Sequence, residues 1–137
     1  MFDNFNNKEV DMRVAAILSN YAPTDFTDTA SEMSRFKSLV RWLGTKANDH
    51  DFRAAVSPVT HINAESPPVF IVHGDADPVV PYQQSVILQE QLNRFNVPNQ
   101  FITVKGGLHG KFEKADRDRI SLEFREFLVK HMLVSKE

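Results

Sequence analysis

Two stretches of this 137-residue chain carry side chains that can hold and pass a proton. One is His73-Gly74-Asp75-Ala76-Asp77-Pro78-Val79-Val80-Pro81; the other is Gly106-Gly107-Leu108-His109-Gly110. A carboxylate followed by a histidine suits an acid–base relay. The carboxylate accepts the imidazole Nδ1–H, fixes the tautomer and stabilises the imidazolium, while the second ring nitrogen takes a proton from a serine hydroxyl. Such a hydroxyl is not evident. The five glycines stand at 44, 74, 106, 107 and 110, and none frames a serine in the G-x-S-x-G pattern of a nucleophile elbow. Gly106, Gly107 and Gly110 give the histidine loop backbone freedom and let a substrate come close.

Asp77 and His109 can meet only if the elements before them run side by side. Val69-Phe70-Ile71-Val72 is four apolar residues entered through a proline pair, and it reads as a buried strand; Phe101-Ile102-Thr103-Val104 reads as another. Val14-Ala15-Ala16-Ile17-Leu18 has the continuous apolar pattern of a strand buried on both faces, ended by Tyr21-Ala22-Pro23. Helical spacing places a helix at about 82–95 with Leu88, Leu92 and Phe95 on one face, and a last helix at about 116–134 with Ile120, Phe124, Phe127 and Leu128. Asp116 and Asp118 sit at the positive end of its dipole. Thr29 and Glu32 match a capping box for a further helix carrying Phe36, Leu39, Val40 and Leu43, with Gly44 as its stop. Residues 45–67 are irregular, with one short helix near Phe52–Ala55. Strands alternating with helices predict a parallel α/β sheet of about three strands. In such sheets active groups gather in the loops leaving the carboxyl ends of the strands, where Asp77 and His109 both fall.

Composition narrows the function classes. A net charge of −2 without a basic run gives no reason to expect nucleic acid as a partner. The absence of cysteine excludes disulfides, thiolate metal sites and a cysteine nucleophile. No apolar run approaches the ~18–20 residues of a membrane span, and the Asn-rich start, Met1 to Asn7, lacks the pattern of a secretory signal. His50, His61 and His131 match no zinc spacing. No metal or organic cofactor is implied.

From Pro67 onward, the H-G-x-x-D-x-x-V-P run and the later G-x-x-H-G resemble the C-terminal part of α/β-hydrolase esterases and the related prolyl-oligopeptidase-type serine hydrolases. The segment ending Tyr21-Ala22-Pro23-Thr24-Asp25-Phe26, and Ser57-Pro58-Val59-Thr60, are similar to the carboxylesterase and feruloyl-esterase-like branch. The resemblance implies one partial domain over 1–137, the C-terminal half of an α/β-hydrolase fold, with 25–66 a variable cap-like insertion. It makes Asp77 the acid and His109 the base, and implies hydrolysis of a small-molecule carboxylic ester through an acyl-serine. In that family the nucleophile elbow precedes the strand at Val14, so the 137 residues alone are expected to be inactive. A truncated gene, a misplaced start or a split protein would each produce this arrangement.

Other readings compete. Asp77 precedes a proline, which is common turn chemistry. Asp75 competes for the acid's role. His73 ends a strand and reads as structural, Ser85 as an ordinary helix residue. Trp42, Phe36 and Met33 read as core or cap packing, with lining of a substrate cleft as the alternative, and the Lys111–Arg119 charges as a solvated face. A non-catalytic binding or assembly module is the alternative function, with Val14–Leu18 as an unpaired strand that drives homo-oligomers. A peptidase fragment is the alternative within the enzyme class.

Overall fold

The computed structural model of the chain describes residues 14–27, 41–131 and 133. Among the described residues, three strands form one parallel sheet in the order β1 (Ile17–Asn20), β2 (Val69–Gly74), β3 (Asn99–Val104). The complete α-helices among the described residues are α1 (His50–Ala55), α2 (Gln83–Arg94) and α3 (Lys114–Lys130). In the register, Ile17 stands opposite Val69, and Val69 opposite Asn99. The central strand therefore aligns its carboxyl end with that of β3, and Gly74 lies opposite Val104.

Strand alternation sorts the core into two layers. Val69 and Ile71 face α2 and pack with Leu88, Leu92 and Val97. Phe70 and Val72 face α3 and pack with Ile102, Val104 and Phe127. The Phe70 ring meets Phe124 and Phe127 at centroid distances of 5.3 and 5.4 Å, tilted and edge-on, which suits the aromatic quadrupole. Every residue of β2 is buried, as expected for a central parallel strand. On α3, Lys114 pairs with Asp118 and Arg119 with Glu123, both one turn apart on the solvent side.

Several expectations are corrected. The first strand begins at Ile17 and ends at Asn20, and it is not buried on both faces. Ile17 and Leu18 are 41% and 43% exposed; among the described residues β1 pairs with β2 on one side and with no strand on the other. The last helix starts at Lys114, two residues early, with Glu113 at its cap, and ends at Lys130. Trp42 is not core; it is 65% exposed and touches the Phe26 ring. The helix expected from Thr29, with its capping box, Met33 and Phe36, lies outside the described residues, apart from helical residues 41–43. Residues 1–13 lie outside them as well.

Leu92 is 1% exposed and Leu122 is 58% exposed. Leu92→Ala is expected to cost about 2–5 kcal/mol in urea unfolding, and Leu122→Ala no more than about 0.5 kcal/mol. Equal costs would contradict the layer assignment.

Candidate active site

The loops after β2 and β3 are tied together by their backbones. The Asp75 amide donates to the Val104 carbonyl at 3.1 Å, and the Ala76 amide to the Gly107 carbonyl at 3.1 Å. A Cβ on Gly74 would stand 2.1 Å from the Gly107 carbonyl oxygen, so this approach requires glycine there. Asp75 does not reach His109; its Oδ1 accepts the Gly106 amide at 2.6 Å and closes the same seam. Gly110 has φ +68, and a Cβ on it would meet the Tyr21 hydroxyl.

Asp77 and His109 meet at the mouth of this seam. His109 Nδ1 donates to Asp77 Oδ2 at 2.8 Å. The other carboxylate oxygen, Oδ1, accepts the amides of Val79 and Val80 at 2.7 and 3.0 Å. The turn chemistry and the histidine contact thus use different oxygens of one buried carboxylate. Because Oδ2 can only accept, Nδ1 carries the proton of a neutral ring and Nε2 keeps its lone pair. The His109 side chain is 33% exposed, and among the described residues nothing hydrogen-bonds its Nε2.

Burial alone would raise the Asp77 carboxyl. The amides of Val80 and Val79 and the His109 imidazole outweigh it and hold the group below the usual carboxylate value. His73, fully buried at the end of β2, behaves in the opposite sense. Burial pushes its imidazole down, and the Val80 carbonyl and Asp77 carboxylate oppose that without overcoming it.

Sequence reading missed two contributors. Tyr21 was expected only to end a strand. Its backbone is left-handed at φ 41, an uncommon conformation for a residue with a Cβ, and its amide bonds the Val72 carbonyl at 2.7 Å. This turns the phenol edge-on to the His109 ring, centroids 4.5 Å apart. Gln84 is the second. Buried at the start of α2, its Oε1 accepts the amides of Thr24 and Asp25 at 2.8 Å each, and Thr24 Oγ1 returns a bond to its carbonyl. The loop beyond β1 is clamped to α2 in this way. A positive φ on tyrosine leaves no trace in composition, and a glutamine clamp has no motif.

Serines near the site have structural partners. Ser57 Oγ accepts the Phe26 amide and donates to the Arg53 carbonyl. Ser85 Oγ bonds His73. No serine among the described residues hydrogen-bonds His109. His50 lies near Asp51, His61 bonds the Ala55 carbonyl and His131 packs on Phe127.

The BD-FAE family matches residues 1–92, which include Asp77. The chain is 36% identical over 92 residues to the probable carboxylic ester hydrolase LipM of Mycobacterium tuberculosis (strain ATCC 25618 / H37Rv), covering 64% of this chain and 21% of that protein. Esterase 2 of Thermogutta terrifontis, phosphonylated by sarin, superposes with a TM-score of 0.68 at 25% identity, covering 90% of this chain and 46% of that one. A truncated form of a carbohydrate esterase from gut microbiota superposes with a TM-score of 0.63 at 26% identity, covering 82% and 42%. The chain thus spans about a fifth of LipM and under half of each of these two structures.

Two outcomes follow from the site's geometry. Folding stability should be highest above the ordinary histidine range. It should fall as pH drops below about 6.5, since the unfolded chain takes up a proton that buried His73 resists. It should fall again as pH drops through the lowered Asp77 value. Urea midpoints read between pH 8 and pH 3 check this, and a midpoint that rises from pH 7 to pH 5 would contradict it. Gly74→Ala should cost about 1–3 kcal/mol by overpacking and displace the His109 resonances in NMR spectra; unchanged spectra would rule out the backbone seam.

Proposed function

This chain belongs to the BD-FAE family, within the α/β-hydrolase superfamily, and we propose on that premise that it supplies the acid and base of a carboxylic ester hydrolase. The serine nucleophile comes from outside its 137 residues. The observation that carries the reading is the 2.8 Å contact between a buried carboxylate and a partly exposed imidazole whose far nitrogen has no hydrogen-bond partner among the described residues.

Asp77 orients the ring and stabilises it when charged. His109 Nε2 takes the proton of the serine hydroxyl as its oxygen attacks the ester carbonyl. The tetrahedral intermediate collapses, and the alcohol leaves with that proton. Water then attacks the acyl-serine, giving its proton to the same nitrogen, and the serine regains it as the acid departs. Both partners of this chemistry are side chains, so no cofactor enters. Val79 and Leu108, 45% and 41% exposed on the two loops, offer an apolar border to the acyl or alcohol group. The names of the relatives support a small-molecule ester as substrate. In this reading residues 25–66 are a variable cap-like insertion of a single partial domain.

A p-nitrophenyl acetate assay tests the division of labour. The isolated chain should show no turnover that His109→Ala removes. In a longer protein carrying the upstream strand and a G-x-S-x-G turn, the same substitution should lower kcat by about a millionfold, as in serine-hydrolase knockouts. Turnover by the isolated chain that depends on His109 would mean that a nucleophile lies within it.

The exposed edge of β1 favours a second reading, an assembly module. Val14, Ile17 and Leu18 are exposed, and apolar grooves of about 490 and 320 Å³ flank the strand. An apolar edge strand with one open side recruits a neighbour. Here that is a second copy of the chain, or the upstream strand where one is present. Sedimentation of the isolated chain at micromolar concentration should show a dimer or larger species, and a clean monomer argues against it.

A further inference from the structure

Behind Asp77 stands a second imidazole that the proton relay does not use. His73 Nε2 lies 3.1 Å from the Val80 carbonyl and 3.2 Å from Asp77 Oδ2. Both oxygens only accept, so Nε2 carries a proton. On the far side of the ring, Nδ1 lies 2.6 Å from Ser85 Oγ at the start of α2. The oxygen that receives His73 is also the one that receives His109. Ser85, His73, Asp77 and His109 therefore form one continuous row, and the first three members are fully shielded from solvent.

We propose that His73 is a positioning residue: its Nε2–H, aimed by Ser85, fixes Asp77 Oδ2 at the angle from which it receives His109. This rests on the reading of Asp77 and His109 as the orienting acid and the base. Two amides pin Oδ1 and leave the carboxylate free to tip about that end; His73 removes the tipping. A simple packing role would need no hydrogen bonds, yet both ring nitrogens are engaged. The titratable groups around the ring are Asp77, His109 and Tyr82, whose ring lies edge-on at a centroid distance of 5.8 Å. With one proton on Nε2 the ring is neutral, Ser85 donates to Nδ1, and the charge of Asp77 is left for His109 to use. A charged His73 would cancel it.

The test is NMR of the full 137-residue chain with ¹⁵N-labelled histidine. At pH 7 the His73 nitrogens should report a neutral ring protonated at Nε2, and His109 should show a slowly exchanging, downfield Nδ1–H. His73→Gln, whose amide nitrogen reaches the place of Nε2, should keep that His109 resonance; His73→Asn, which is too short, should lose it. Ser85→Ala keeps the ring and removes only its tether, and should broaden the same resonance, so a His73 variant that fails to fold does not end the test. A His73 ring protonated at Nδ1, or a His109 resonance unmoved by both His73→Asn and Ser85→Ala, would overturn the proposal. Asp77→Asn separates it from its premise. If that substitution leaves the His109 resonance intact, the pairing itself is wrong. If it removes the resonance while the other two variants do not, only the role of His73 falls.

Discussion

Gly74 and Gly107 pass each other at a distance that no side chain could share, and this approach places the candidate site. Parallel pairing of β2 with β3 brings both carboxyl ends to one edge, and the amides of Asp75 and Ala76 lock the two loops across it. Asp77 and His109 then meet without any adjustment of either strand. The layers serve the same end. α2 and α3 cover opposite faces of β2 and bury it completely, which makes the strand a rigid support for the residues that follow.

The polar groups at that edge are coupled through shared acceptors. One carboxylate takes two backbone amides on one oxygen and two imidazoles on the other. Buried without them it would be driven toward its protonated form; with them it stays charged. The two histidines differ by environment. His73 is enclosed and has both nitrogens engaged, whereas His109 is partly exposed, holds Asp77 with one nitrogen and leaves the other without a hydrogen bond among the described residues. Chemistry needs the second arrangement, and positioning needs the first.

Much of this was legible in the chain. The apolar runs at 69–72 and 101–104 located β2 and β3, and helical spacing located α2 and α3 within a few residues at each end. The order of Asp77 and His109 after those strands brought them to one loop cluster. Contacts that depend on a third element were not legible. Tyr21 reaches His109 through a left-handed backbone, and His73 reaches Asp77 from the side of the sheet that α2 covers. The first strand misled for a related reason. Its apolar run signals burial, but burial needs a neighbour, and on its outer side the described residues supply none. The same run is consistent with partial coverage of the esterases that the fold matches.

We propose that Asp77 orients the base of an ester hydrolase. The direct measurement is steady-state ester hydrolysis at neutral pH by a longer protein carrying the upstream serine, with and without Asp77→Asn. That exchange keeps the shape of the side chain and removes the charge that sets the His109 tautomer. A fall in kcat of about 10⁴ with little change in KM is expected. An unchanged kcat would contradict it.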